Sequence, residues 1–316
     1  MALGVEGVRV GIWTSPGRVT GCTVVLPPDG TVGAIAVRGA APGTREAAAL
    51  GPQGHVEVCH GVVLSGSSAY GLAVADGVMH WLEEQGHGYP VGDGLVPIVG
   101  AAIVLDGGVF APDERPGPDA GRACCDHASA AEPPEGGVGV GAGCSVAKVG
   151  GLAAAWRGGQ GIAVRRRGGV TVGAIVANNA VGEVVAEDGS FVARARIPDD
   201  APRFPEIGLL KSDPPHGPAG NTVIGCIVTD AALTKSQAHR VADLGHSGVA
   251  RALRPAHTQS DGDALFCLAT GQVVASIDLV ADLAAEVVAE AARRGPLAAT
   301  AGHGLPGLAD GHRPGP

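Results

Sequence analysis

Aromatic side chains are nearly missing from this chain: three Trp, two Tyr and four Phe make up 3% of its 316 residues. Few rings leave few stacking platforms for bases, and the core must be built largely from Ala, Val, Leu and Ile. Charge is also sparse, at 17% of residues with a net charge of -9, which argues against nucleic acid as a partner. The 45% hydrophobic content excludes a disordered chain. No apolar run approaches the ~20 residues that span a bilayer, so no membrane partner is expected. Met1-Ala2-Leu3-Gly4 leads straight into the strand-like Val8–Trp13 without a basic region, which reads as a cytoplasmic protein. There is no Gly-rich dinucleotide or phosphate loop, no His-Glu-x-x-His and no Gly-x-Ser-x-Gly elbow, so the commoner enzyme chemistries are absent and no cofactor is expected. Seven cysteines, an odd number, sit mostly in apolar segments and read as buried, reduced thiols. Cys124-Cys125-Asp126-His127 lacks a second ligand cluster at matching spacing, so no metal is expected there.

What is abundant is glycine, 53 residues without a three-residue period, placed as punctuation between short apolar runs. Strands are predicted at Val8–Trp13, Cys22–Leu26, Val32–Val37, Val58–Ser65 and Ile98–Leu105. A helix is predicted from Ser68 to Gln85, and a surface excursion with a short Ala-rich helix within 107–135. Ile162–Arg166 and Val170–Ala177 form a hairpin across Arg167-Gly168-Gly169. Residues 194–220 are polar, with Pro198, Pro202, Pro205, Pro214, Pro215 and Pro218, a loop of the kind in which chains are cut. Val223–Val228 is a β-branched strand, and Thr234-Lys235-Ser236-Gln237 is a capping box for a helix reaching about Ala252. Leu265–Ala269 is a further strand, and Asp278 is expected to cap a last helix, Leu279–Arg294, closed by Gly295-Pro296. The residues from 296 to 316 read as a flexible tail of a single domain spanning 1–316. Strands and helices without βαβα alternation point to an α+β fold.

The informative junction is Pro218-Ala219-Gly220-Asn221-Thr222-Val223-Ile224-Gly225, where a polar loop turns abruptly into a hydrophobic strand. A threonine hydroxyl needs a base to act as a nucleophile. If the bond before Thr222 is broken, its own α-amine, with an ordinary pKa of about 7.7–8.0, becomes that base. The hydroxyl can also make the cut itself, attacking the preceding carbonyl to give an ester that water hydrolyses. On these residues alone the plainer reading, an ordinary first residue of a strand, is favoured.

Longer stretches reverse that preference. From Gly220 the chain reads Gly-Asn-Thr-Val-Ile-Gly-Cys-Ile-Val-Thr-Asp, and from Arg254 it reads Arg-Pro-Ala-His-Thr-Gln-Ser-Asp-Gly-Asp-Ala-Leu-Phe. With Val8–Thr14, Gly21–Leu26, Pro42–Glu46, Leu64–Leu72, Gly141–Lys148 and Asn179–Gly182, these segments closely resemble the DmpA/NylC family of self-processing aminopeptidases, β-peptide hydrolases and nylon-oligomer hydrolases. The resemblance covers nearly the whole chain up to about residue 296. It implies a four-layer αββα sandwich of the DmpA/ornithine acetyltransferase type, cleaved into residues 1–221 and 222–316, typically as homotetramers of such pairs. The nucleophile position falls on Thr222 and the cleavage site on Asn221 and Thr222, with Thr in place of Ser closest to the nylon-oligomer branch. Further catalytic positions fall on Lys148, Asn179, Asp261, Asp263 and Tyr70.

Each implied role has a physical basis. A lysine in an apolar setting lowers the hydroxyl's pKa or holds developing charge. Asn179 can donate to an oxyanion, with Asn178 as a rival for that role. One of Asp261 and Asp263 can orient the lysine or hold the α-ammonium group of Thr222 while the other fixes the loop. Tyr70 can donate to a substrate carbonyl. The family usually has Gly-Gly where this chain has Gly66-Ser67, and the added side chain is expected to narrow or rewire the substrate cleft. Two alternatives stand: an acetyltransferase of the ornithine type, which usually has Gly-Ala-Thr at this junction, and a non-catalytic protein that kept the fold. The acyl substrate is left open among an amino acid amide, a β-peptide and an ω-amino acid oligomer.

Overall fold

The computed structural model describes residues 1–206 and 220–311. Its frame is ten strands and four helices. In chain order the strands are β1 (Arg9–Thr14), β2 (Gly21–Leu26), β3 (Val32–Val37), β4 (Thr44–Arg45), β5 (Gly61–Ser65), β6 (Val99–Ile103), β7 (Gly159–Arg167), β8 (Val170–Asn179), β9 (Thr222–Ala231) and β10 (Ala264–Val273). The helices are α1 (Val74–Glu84), α2 (Pro118–Asp126), α3 (Lys235–Ala252) and α4 (Ile277–Leu297). One sheet runs β1-β2-β5-β6-β4 and the other β7-β8-β9-β10-β3. Each sheet holds one parallel pair, β5 with β6 and β9 with β10. Each pair is joined through a helix, as parallel neighbours require.

Three apolar layers separate four structural ones. Ile175, Ile224, Cys226, Val228, Phe266 and Leu268 point between the sheets, against Val62 and Leu64 of the first sheet. Val176, Val223, Ile227, Leu265 and Cys267 point the other way, onto Val241, Val249, Val287 and Val288 of α3 and α4. Val24, Val63 and Ala101 face Val74, Val78 and Cys124 of α1 and α2. This is the expected α+β, αββα sandwich. Period-two alternation with both faces covered makes β8, β9 and β10 read as continuous hydrophobic runs.

Several predicted elements shift at their ends. The hairpin between β7 and β8 turns on Gly168 and Gly169, both with positive φ (60° and 81°), as a two-residue primed turn demands. The helix expected from Ser68 opens as a 3-10 turn over Ser68–Ala73 before α1 begins. The α4 N-cap is Ser276 and not Asp278, and the helix runs through Pro296 to Leu297 instead of stopping at Gly295.

The described part of the expected tail does not fray. Arg157 N donates to Pro306 O, Ala309 N donates to Ala299 O, and Ala299 and Leu308 are buried. Backbone pairing and two apolar anchors hold a segment whose Gly, Pro and His content suggested a loose end. Residues 312–316 of that expectation, and residues 207–219 of the proline-rich loop, lie outside the described residues.

Candidate active site

The last rung between β8 and β9 pairs Asn179 with Thr222. Alternation along β8 then separates the two asparagines. Ile175 and Ala177 face the space between the sheets, so Asn179 shares that side with Thr222. Asn178 points towards α4, where its Nδ2 donates to Ala292 O at 2.7 Å. The rival reading for Asn178 therefore fails on strand parity.

Lys148 reaches the same spot from the glycine-rich segment before β7. It is 1% exposed. Its Nζ donates to Gly220 O at 2.6 Å, to Asn179 O at 2.8 Å and to Asn179 Oδ1 at 3.2 Å. Three carbonyl acceptors match the three N–H bonds of an ammonium group. Burial works the other way and brings the group down to about 7, so charged and neutral forms are both present at neutral pH. Asn179 Nδ2 donates to the same Gly220 O at 3.1 Å and to Leu105 O at 2.9 Å. Its Oδ1 accepts from Ser145 N at 2.9 Å, which fixes the amide's orientation. A side chain on Gly220 would run into Leu105, with 2.3 Å between the added carbon and Leu105 Cβ, so the segment passes this close only as glycine.

Thr222 is 4% exposed, and its Oγ1 donates to the carbonyl of Asn221, the residue just before it. That carbonyl oxygen also accepts from Gly262 N at 3.1 Å. Asn221 bridges Asp261 in parallel, extending the β9–β10 pairing by one step beyond Thr222. The Asp261-Gly262-Asp263 turn is thereby laid along the junction. Asp263 Oδ1 accepts from Val223 N at 2.6 Å. Asp261 Oδ2 accepts from Thr258 N at 2.5 Å, while its buried Oδ1 has no hydrogen-bond partner among the described residues. Burial, and then the charge of Asp263, push the Asp261 carboxyl above its usual range.

Five of the six side chains expected in the site are thus gathered around one peptide bond: Thr222, Lys148, Asn179, Asp261 and Asp263. Tyr70 is not among them. Tyr70 is 57% exposed, Arg115 lies over its ring at 3.7 Å, and it does not line the cavity beside Lys148. Ser67, the departure from Gly-Gly, takes the left-handed φ of 64° that glycine adopts freely. Its Oγ meets Thr20 Oγ1 at 3.1 Å, its N donates to Asp106 Oδ1 at 2.9 Å, and it too lies off the cavity wall. The expected narrowing of the cleft is not found at this cavity.

That cavity, of about 220 Å³, is lined by Lys148 and Gly220, by the apolar Leu105, Phe110, Leu152 and Leu305, and by Asp106 and Arg157. Burial pushes the Asp106 carboxyl up to about 6 and holds the Arg157 guanidinium below its ordinary value. Sequence reading missed Asp106, Arg157 and Leu305, since each lies in a segment without a recognisable pattern. It also missed His257, whose Nδ1 stands 2.7 Å from Asp263 Oδ2. The Cys124–His127 stretch goes elsewhere. Cys124 and Cys125 are buried in α2, Asp126 accepts from Trp81 Nε1, and His127 bonds Ala123 O.

The sandwich is the DmpA-type variant of the N-terminal-nucleophile hydrolase fold. A β-aminopeptidase of Burkholderia sp. superposes with a TM-score of 0.72 at 23% identity, covering 96% of this chain and 89% of that one. The L-aminopeptidase D-Ala-esterase/amidase of Ochrobactrum anthropi gives a TM-score of 0.68 at 19% identity, covering 93% and 85%. The family model for peptidase family S58 matches residues 3–308, and the chain belongs to that family. It is 42% identical over 291 residues to an uncharacterised aminopeptidase of Mycobacterium tuberculosis, covering 85% of this chain and 81% of the relative. It is 30% identical over 276 residues to the 6-aminohexanoate-oligomer endohydrolase of Agromyces sp., covering 84% and 74%.

Proposed function

We propose that this member of peptidase family S58 is an amide hydrolase that cuts itself between Asn221 and Thr222 and then uses Thr222 as an N-terminal nucleophile. The observation that carries the reading is the contact of Thr222 Oγ1 with the carbonyl of Asn221, at a bond clamped by Gly262 N on one side and Asp263 on the other. In self-cleavage Oγ1 adds to the Asn221 carbonyl carbon and gives up its proton, which ends on the departing Thr222 nitrogen. The Asn221 oxygen takes the negative charge, and the Gly262 N–H already directed at it stabilises that charge. Collapse breaks the C–N bond and leaves an ester on Oγ1, with the Thr222 nitrogen as a free amine. Water then hydrolyses the ester. The same hydroxyl, now assisted by the α-amine, attacks a substrate amide through an acyl-enzyme.

In the uncut chain the Gly220 carbonyl occupies the donors of Lys148 and Asn179. Release of the Gly220-Asn221 end frees both for a substrate carbonyl and opens the neighbouring cavity, whose apolar walls suit the acyl part of a small amide, peptide or oligoamide. The aminopeptidase and oligoamide relatives support that class. Association of the two chains into homotetramers belongs to the same reading, and the seven buried, unbridged cysteines suit the reducing cytoplasm. Mass spectrometry of the purified active protein is expected to find two polypeptides divided at 221/222. Thr222→Ala is expected to give one intact chain without amidase activity. Intact wild-type chain with full activity would sink the proposal. A panel of amino acid amides, β-peptides and ω-amino acid oligomers then ranks the substrates.

A further inference from the structure

The junction is held from behind by a pair that does not touch the reacting atoms. We propose that His257 is an imidazolium that fixes Asp263 as the anchor of the Val223 amide, making it a positioning residue for the chemistry at Thr222. His257 Nδ1 lies 2.7 Å from Asp263 Oδ2, and Nε2 lies 3.3 Å from the carbonyl oxygen of His246. A carboxylate and a carbonyl have no proton to give, so both ring nitrogens must donate, and only the charged ring has two N–H bonds. Asp263 passes the constraint on, because its other oxygen holds Val223 N, the amide directly after Thr222. The backbone also favours a fixed ring. His257 has φ of 55°, a strained conformation for a residue with a side chain, and such strain persists only where the surroundings impose it.

The groups that face the ring are few. From α3, the His246 ring stands edge-on at 5.0 Å, and burial pushes it down to about 4, leaving it neutral. Arg38, just after β3, disfavours further positive charge, but it is itself paired with Asp243 at 2.5 Å. Asp261, two residues before Asp263 in the same turn, feels the charges of Asp263 and Lys148. Burial of His257 opposes its charge, yet the hydrogen bond and charge of Asp263 prevail and hold the ring above its ordinary value. The sign follows: the contribution of the pair is complete below the ordinary histidine range and is lost as pH rises through the raised value.

The kinetic consequence rests on the Thr222 reading, whereas the charge of the ring does not. In the uncut Thr222→Ala chain, imidazole nitrogen NMR is expected to show His257 protonated at both nitrogens at pH 7, with that signal absent when His257→Gln is added. Self-cleavage of the wild-type chain, followed from pH 5 to 9, is expected to fall on the alkaline side. His257→Gln keeps one N–H for Asp263 but no charge, and is expected to cleave about tenfold more slowly, the weight of one charge-assisted hydrogen bond, without that alkaline fall. A neutral His257 ring at pH 7, or a His257→Gln chain that cleaves at the wild-type rate or keeps the alkaline fall, overturns the proposal. If His257→Gln does not fold, the titration of the ring in the Thr222→Ala chain decides alone. If the wild-type chain never cleaves, the Thr222 reading fails and the ring's charge is still measured.

Discussion

Asn178 and Asn179 are neighbours, yet they end on opposite faces of β8. One ties α4 down through Ala292, and the other meets Lys148 and Thr222. A single step of strand parity thus separates a structural amide from one suited to an oxyanion. Lys148 carries the sharper expectation at this scale. Burial places its ionisation at about 7, so the neutral amine able to take a proton grows as pH rises through that value. Self-cleavage is expected to rise with pH through about 7 in the wild-type chain. Lys148→Met is expected to remove that limb and slow cleavage at least about a hundredfold, as loss of a general acid–base group does. A gel time course at several pH values checks it, and an unchanged acid limb in Lys148→Met would remove Lys148 from the chemistry. At this scale Lys148, Asn179, Thr222 and the Asp-Gly-Asp turn were legible through family resemblance. Asp106 was not, because its carboxyl is held by the backbone amides of Ser67, 39 residues away, and Gly108, and His257 was passed over although it lies inside the Arg254–Phe266 stretch, since only its contact with Asp263 marks it.

Elements were read well where the cap chemistry is local. Thr234 Oγ1 accepts from Gln237 N, and Gln237 Oε1 accepts from Thr234 N, the capping box expected for α3. Thr234→Ala is expected to cost about 1 kcal/mol in a denaturant titration of the uncut Thr222→Ala chain, without changing the site. The start of α4 was misplaced by two residues because its cap makes no side-chain bond, so packing of Val280, Leu283 and Val287 sets the boundary. The position of Tyr70 away from the cavity has a related cause. The 3-10 turn before α1 aims it outward under Arg115, and a smooth helix drawn from Ser68 cannot reveal that.

At the scale of the whole molecule, the proposed cut falls in the middle of a sheet. Strands β9 and β10 of the smaller product lie between β8 on one side and β3 on the other, both from the larger product. Within this sheet both boundaries between the two products are therefore ladders of hydrogen bonds with apolar layers on both faces. After cleavage the two chains are expected to co-elute in gel filtration and to unfold in one transition with denaturant. Separation of the two polypeptides in native buffer would contradict this interleaving. The described end of the chain belongs to the same body, since Leu305 lines the cavity and Pro306 receives Arg157 N.

Local spacing sets the alternation that buries both faces of β8, β9 and β10, the turn at Gly168-Gly169, the cap of α3, and the abrupt change from polar loop to buried strand at Thr222. These depend on neighbours a few residues apart, whose spacing is the physical cause. The fold alone places Asn221 beside Asp261 and brings Gly262 N to the Asn221 carbonyl. Those contacts exist because β9 and β10, some forty residues apart in the chain, pair in parallel, and no local pattern encodes which ends such a pairing brings together.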